Sequence, residues 1–211
     1  MKITKLEHSG IIFEKDGKKI VCDPVEFMEK LPEMENVVAV IITHKHGDHL
    51  QLEKLNEILE NNPEARVFTA PDAVSDISRA EAVRNGDEVK VGEFELKFFG
   101  KNHAEIIPGV VPCENIGVVI DGEYVNPGDS FDVPENLDEV KVLFVPSAAP
   151  WCKVTEGMEY IKTVKPKNVV PVHTAVLSDL GDGFNNNWLR VAAEEVGAEL
   201  KALKASESFE I

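Results

Sequence analysis

The sequence predicts an α/β (α+β) fold of two mixed sheets, each with helices on its outer face. Short β-prone runs crowd the first third of the chain, and later strands alternate with helical segments. Val37 to Thr43 is a continuous apolar run, as expected of a strand buried on both faces. No repeat, low-complexity tract or linker divides the 211 residues, so one domain over 1–211 is the economical reading.

The elements follow in order. Lys2 to Glu7, Gly10 to Glu14 and Lys18 to Asp23 read as strands, with Lys15-Asp16-Gly17 turning between the last two. After the buried strand, Leu50 to Asn61 places Leu52, Leu55, Ile58 and Leu59 at helical spacing, and Asn61-Asn62-Pro63 stops that helix. Arg66 to Ala70 is a short strand, and Pro71-Asp72 opens another helical piece. Glu88 to Val91 and Glu93 to Phe99 form a hairpin about Gly92, and Ile116 to Asp121 and Glu123 to Asn126 form one about Asp121-Gly122. Lys141 to Val145 is an apolar strand. A helix is expected from Thr155, as N-cap, to Val164, with Lys165-Pro166 ending it. Asn168 to Val172 is a strand, Asn187 to Val196 a helix closed by Gly197, and Glu199 to Leu203 a final strand.

Composition narrows the function classes. No apolar run approaches the roughly 20 residues of a spanning helix, and the N-terminus has no signal-like apolar stretch, so the expected compartment is the cytoplasm and no membrane partner is expected. Cys22, Cys113 and Cys152 are too few and too scattered for a disulfide framework and read as buried free thiols. The net charge of −16 disfavours nucleic acid, whose phosphates the average surface repels, and favours a small-molecule substrate. A homo-oligomer stays open.

The chemistry concentrates after the buried strand, in Thr43-His44-Lys45-His46-Gly47-Asp48-His49. A strand-to-helix loop lets a rigid strand aim several side chains at one point. His44 and His46 are two residues apart, so in extended geometry they point the same way and share one metal. Gly47 permits the bend that aims Asp48 and His49 at an adjacent position. Imidazole and carboxylate without thiolate suit zinc, with manganese and iron as alternatives. The remaining histidines, His8, His103 and His173, each end or follow a predicted strand, so the fold can bring them to a common rim. Taken singly, such a histidine reads as a satisfied polar or core residue. Asp129 in Asn126-Pro127-Gly128-Asp129-Ser130 reads alone as ordinary turn chemistry.

The motif His44-x-His46-x-Asp48-His49, together with His103, Asp129 in a Gly-Asp-Ser turn and His173 in Val172-His173-Thr174, resembles the metallo-β-lactamase superfamily. The resemblance extends from His8 to His173 and implies a four-layer αββα sandwich with metals at the sheet edge. It assigns His44, His46 and His103 to one divalent ion, Asp48, His49 and His173 to a second, and Asp129 as the bridge. Within the superfamily, His8-Ser9-Gly10, Cys22-Asp23-Pro24 and Pro166 to His173 are most similar to the small branch that includes ascorbate-6-phosphate lactonase and related metal-dependent hydrolases. His46 stands where the flavodiiron branch has glutamate, which argues against redox chemistry.

The activity so implied is hydrolysis of a small ester-like bond, a lactone or phosphodiester before a thioester. The nucleophile is a hydroxide activated by two metals, with Asp48 orienting it and passing the proton on. His8 is expected near the metals or the substrate, and Asp23 either orients a ligand histidine or caps a turn. Trp151, in Ala148 to Cys152, and the segment Glu105 to Cys113 are candidates to line the substrate cavity, though Trp151 is equally a surface or core residue. The competing readings are a nuclease or phosphodiesterase acting on nucleic acid, and a non-catalytic metal protein. A closed structural site uses four ligands, and the seven candidates here exceed that.

Overall fold

The computed structural model describes residues 1–211, and it builds two seven-stranded sheets packed face to face. The first contains β1 (Lys2–Lys5), β2 (Ile11–Lys15), β3 (Lys18–Cys22), β4 (Val37–Ile42), β5 (Arg66–Thr69) and β6 (Ala80–Ala82) in that spatial order. The second is built from β7 (Glu88–Val91), β8 (Phe94–Phe99), β9 (Gly117–Ile120), β10 (Tyr124–Asn126), β11 (Val142–Pro146), β12 (Asn168–Val172) and β13 (Glu199–Leu200). The chain then returns to the first sheet, where β14 (Ser208–Glu210) pairs antiparallel with β1, Phe209 opposite Ile3.

The central strands are apolar on both faces because each face meets a different layer. Along β4, Ala39 and Ile41 join the inter-sheet core, whereas Val40 and Ile42 pack beneath α1 (Leu52–Asn61). Along β11, Val142 and Phe144 face the other sheet, and Leu143 and Val145 lie under α2 (Val154–Val164) and α3 (Asp179–Glu195). Phe13, Phe68, Phe94, Phe98 and Phe144 fill the space between the sheets. Leu55, Ile58 and Leu59 seat α1, each contributing about 1.5–3 kcal/mol by burial. The result is the αββα layering. No helix is long and apolar enough to cross a membrane.

The hairpin turns at Asp16-Gly17 and Asp121-Gly122 adopt left-handed backbone, with φ of 51° and 73° in the first and 50° and 71° in the second. Other expectations need correction. Helix α3 starts at Asp179 rather than Asn187. Gly181, Gly183 and three successive asparagines weaken its helical signal, but the Ser178 hydroxyl accepts the Gly181 N–H at 3.2 Å and caps the earlier start. Helix α2 begins at Val154, with Lys153 at the cap position, its N–H donated to the Glu156 carboxylate at 2.7 Å; Thr155 lies inside the helix. Strands β6 and β14 were not expected, being three residues each and poor in strand-forming patterning, and β13 ends at Leu200 rather than Leu203. Of the three free thiols only Cys22 is buried; Cys113 and Cys152 are half-buried.

The topology decides where chemistry can sit. Strands β3 and β4 run parallel, as do β10, β11 and β12, so their carboxyl ends open on one rim of the sandwich. Ligands bind at such strand ends because the loops there converge from a rigid base.

Candidate metal centre

Six histidines and three aspartates meet at that rim. The loop after β4 supplies His44, His46, Asp48 and His49, the turn before β2 supplies His8, and the end of β3 supplies Asp23. From the second sheet come His103 after β8, Asp129 after β10 and His173 after β12. The donor atoms of His44, His46 and His103 lie within 4.8 Å of one another, as do those of His8, Asp48, His49 and His173, and those of His44, His49 and Asp129. Asp129 stands between the sets. Its Oδ1 is 3.1 Å from His49 Nε2, and its Oδ2 is 3.3 Å from His103 Nε2 and 3.1 Å from His173 Nε2.

Hydrogen bonds on the far side of each ring fix which nitrogen faces the centre. His103 Nδ1 donates to the Ala104 carbonyl and His173 Nδ1 to the Ala148 carbonyl, each at 2.6 Å. His49 Nδ1 donates to Asp23 Oδ2 at 2.8 Å. The Thr43 hydroxyl gives its proton to Asp23 Oδ2 at 2.8 Å and so accepts from His44 Nδ1 at 3.1 Å. Carbonyls and carboxylates only accept, so a proton is held on Nδ1 and it is Nε2 that each ring turns inward, as a lone pair whenever the ring is neutral. The Nε2 atoms of His8, His44, His49, His103 and His173 are buried and lack any aligned hydrogen-bond partner, as does Asp129 Oδ1. Buried polar atoms are otherwise almost always paired. Converging, orphaned lone pairs around a carboxylate fit a divalent cation.

His8 has the opposite arrangement. Its Nδ1 accepts the Ala175 N–H at 3.3 Å, so Nε2 carries the proton and faces Asp48 Oδ2 at 3.4 Å. The ring sits 3.8 Å from His173, centroid to centroid, and the His8 carbonyl accepts the His173 N–H at 3.0 Å. His8, Asp23 and His173 all hold left-handed backbone, with φ of 54°, 44° and 61°. Such conformations persist in non-glycine residues only where the surroundings enforce them, and they concentrate at functional sites.

The charges are interlocked. Burial would raise the Asp129 carboxyl, but His49, His103 and His173 hold it well below the usual carboxylate range. His173 and His8, with Nε2 atoms 3.5 and 3.4 Å from its Oδ2, hold the Asp48 carboxyl below the usual carboxylate range in the same way. Burial opposes the charged form of His49, yet Asp129 and Asp23 push it well above an ordinary imidazole. Against the same burial, Asp129 and Asp48 raise His173 to about 9. His44 is driven well below its ordinary value by burial and by its histidine neighbours.

Three contributors carried no legible signal in the sequence. Asn115 accepts the Asp129 N–H and donates to the Pro127 carbonyl, both at 2.9 Å, and so clamps the turn that aims Asp129. Gly128 is required there, because it has φ of 63° and a Cβ would stand 2.4 Å from Asn115 Oδ1. Thr43 relays Asp23 to His44. Trp151 is neither a plain surface nor a core residue, since its indole N–H donates to Asp129 Oδ2 at 3.2 Å.

Residues 2–173 match the family model for the Beta-lactamase superfamily domain. The chain belongs to the metallo-β-lactamase superfamily. Protein Rv0786c of Mycobacterium tuberculosis is 32% identical, with 84% of this chain and 86% of that one aligned. A UPF0173 metal-dependent hydrolase of Aeropyrum pernix is 24% identical over 99% of this chain and 97% of its own. Among solved structures, Igni18, a metallo hydrolase from Ignicoccus hospitalis, superposes with a TM-score of 0.75 at 20% identity, covering 100% of this chain and 98% of that one. The metallo-beta-lactamase fold protein YhfI of Bacillus subtilis gives 0.70 at 16% identity, with 99% of both chains covered. At these identities the superposed structures bear on the superfamily's fold alone.

Proposed function

We propose that the chain is a hydrolase whose centre holds two divalent ions, zinc before manganese or iron, and cleaves a small ester-like substrate. One observation carries this: the buried, orphaned Nε2 atoms of four histidines converge on Asp129. His44, His46 and His103 would hold one ion and Asp48, His49 and His173 the other, with Asp129, whose oxygens lie 3.1–3.3 Å from His49, His103 and His173, available to both. Such ions polarise a carbonyl or phosphoryl oxygen and bring the pKa of water from about 15.7 to around 7.

The chain's own residues do the rest. Asp48, part-exposed and held ionised, faces the opening; it orients the attacking water and carries its proton to the leaving group. His8, as an Nε2–H donor, fixes the Asp48 carboxylate rather than binding metal. Asp23 fixes His49 directly and His44 through Thr43. The Trp151 indole fixes the outer oxygen of Asp129 and covers His103, with ring centroids 5.5 Å apart. The substrate is a lactone or phosphodiester before a thioester, and the net charge of −16 weighs against nucleic acid.

The decisive measurement is metal content alongside turnover of bis-p-nitrophenyl phosphate and a lactone panel. Two equivalents of bound ion and metal-dependent turnover are expected in the native chain, and neither in His44→Ala plus His46→Ala protein. Turnover that survives the double substitution overturns the metal-centred reading, and a single tightly held ion with no turnover favours a structural site.

Uptake of metal is expected to release protons. The protons on His49 and His173 must leave before Nε2 can coordinate, and the His173 value of about 9 lies above neutral pH. Below that pH the metal competes with bound protons, so affinity rises with pH towards 9. Calorimetric titration in buffers of different ionisation enthalpy reads the release, and affinity that is flat from pH 6 to 9 contradicts it.

A further inference from the structure

The loops bordering the centre carry exposed apolar side chains on an acidic surface. Segment 25–31 lies on one side, where the Phe27 ring stands edge-on to His8 at 5.7 Å. Segment 104–113 lies on another, starting beside His103 and ending with Cys113 Sγ, 3.5 Å from His46 Nε2. Both expose large apolar side chains: Met28 is 90% exposed, Val111 89% and Ile107 59%. Val176, three residues past His173, is 64% exposed, and Trp151 packs against both His103 and His173 while donating to Asp129. Soluble proteins scatter exposed apolar residues singly, and a concentration of them around one opening marks a binding surface.

These loops are also held in shape. The Glu7 carboxylate accepts the Phe27 N–H at 2.7 Å and the Met28 N–H at 2.9 Å. The Glu105 carboxylate accepts the Gly109 N–H at 2.9 Å, and Val110 N–H closes a turn on the Ile107 carbonyl at 3.0 Å. Each acid is spent on backbone donors, so the apolar side chains are presented on fixed supports. Segments 104–113, 147–152 and 174–178 contain no lysine or arginine, and segment 25–31 has one, Lys30, which acts on the charge of Glu26. Lys45, in the metal loop itself, is paired with Asp72 at 2.9 Å. A phosphate ester therefore meets little at this rim to offset its charge, whereas a neutral carbonyl ester loses nothing there.

We infer that the substrate is a carboxylic ester or lactone whose non-reacting part is an uncharged apolar chain, received by Phe27, Met28, Ile107, Val111, Val176 and Trp151. The inference rests on the hydrolase reading above and narrows it from esters in general to acyl esters. The metal centre engages the carbonyl, and the apolar loops take the acyl chain from water.

The test is calorimetric binding of butanoate, hexanoate, octanoate and decanoate to the zinc-loaded protein, run beside turnover of the matching p-nitrophenyl esters. Affinity is expected to rise about two- to fourfold per methylene, the range set by partial to full burial of each group. In Met28→Ser plus Val111→Ser protein that slope should flatten while the thermal midpoint holds, because both side chains are exposed. A flat series, or a slope the double substitution leaves intact, overturns the inference even if metal-dependent turnover is found. A native dimer lost in the same variant would assign these side chains to a self-interface and also overturn it. A rising slope without turnover of any member sinks the hydrolase reading instead and leaves an apolar acyl-binding site.

Discussion

Asp129→Ala is expected to empty the centre and reduce metal-dependent hydrolysis by on the order of a thousandfold. Metal polarisation is worth several kcal/mol to the transition state, and each 1.36 kcal/mol is a factor of ten in rate. Asp129 is the carboxylate within ion-pair distance of both candidate sets of histidines, with His49 at 3.1 Å from Oδ1, and His103 at 3.3 Å and His173 at 3.1 Å from Oδ2. The same substitution alters the metal-free protein. His49 and His173 lose a carboxylate that favours their protonated forms, and breaking a buried pair costs about 3–5 kcal/mol where the remaining charge cannot neutralise. Here both rings can shed a proton, so the loss of stability should be smaller and should shrink further as pH rises. Atomic emission for metal content, kcat/KM and urea unfolding at pH 6 and 8.5 read these effects. An Asp129→Ala protein that retains both ions and full activity would refute the bridging role.

Asp23→Ala is the second large effect, although Asp23 faces the ligands only from behind. The carboxylate is fully buried and accepts from the Thr43 N–H, the Thr43 hydroxyl and His49 Nδ1, each at 2.8 Å. Its removal leaves those donors without partners inside the protein, at about 1–3 kcal/mol for each unsatisfied group. It also frees His49 to rotate and releases the Thr43 hydroxyl that holds His44. Loss of such a supporting carboxylate typically weakens metal affinity or activity by about 10–100-fold. Asp23→Asn separates the two effects. It can still accept the Thr43 N–H, but an amide N–H turned toward His49 Nδ1–H sets donor against donor. Stability should recover more than activity does. Equal recovery of both would make Asp23 a packing residue only.

Much of this was legible along the chain. The run Val37 to Thr43 is apolar at every position because β4 is covered on both faces, and such a run reports burial without knowledge of the partners. The hairpin turns were legible because Asp-Gly tolerates the left-handed backbone that tight hairpin loops impose. The metal loop was legible because its four side chains lie within six residues, so local geometry alone makes them neighbours. Helix α3 was read eight residues short, since its first turns expose Leu180 and Phe184 and lack the buried stripe that sequence periodicity detects.

Sequence alone determined the layered α/β class, the histidine-aspartate loop after a buried strand and, by resemblance, the other residues of the centre. Only the tertiary structure decided the role of each ring. His173 presents Nε2 because the Ala148 carbonyl, 25 residues away, holds its Nδ1 proton. His8 presents an N–H because the Ala175 amide, 167 residues away, occupies its Nδ1. Local periodicity carries burial and turn geometry, but a tautomer is fixed by whichever distant backbone atom the sheet pairing brings alongside.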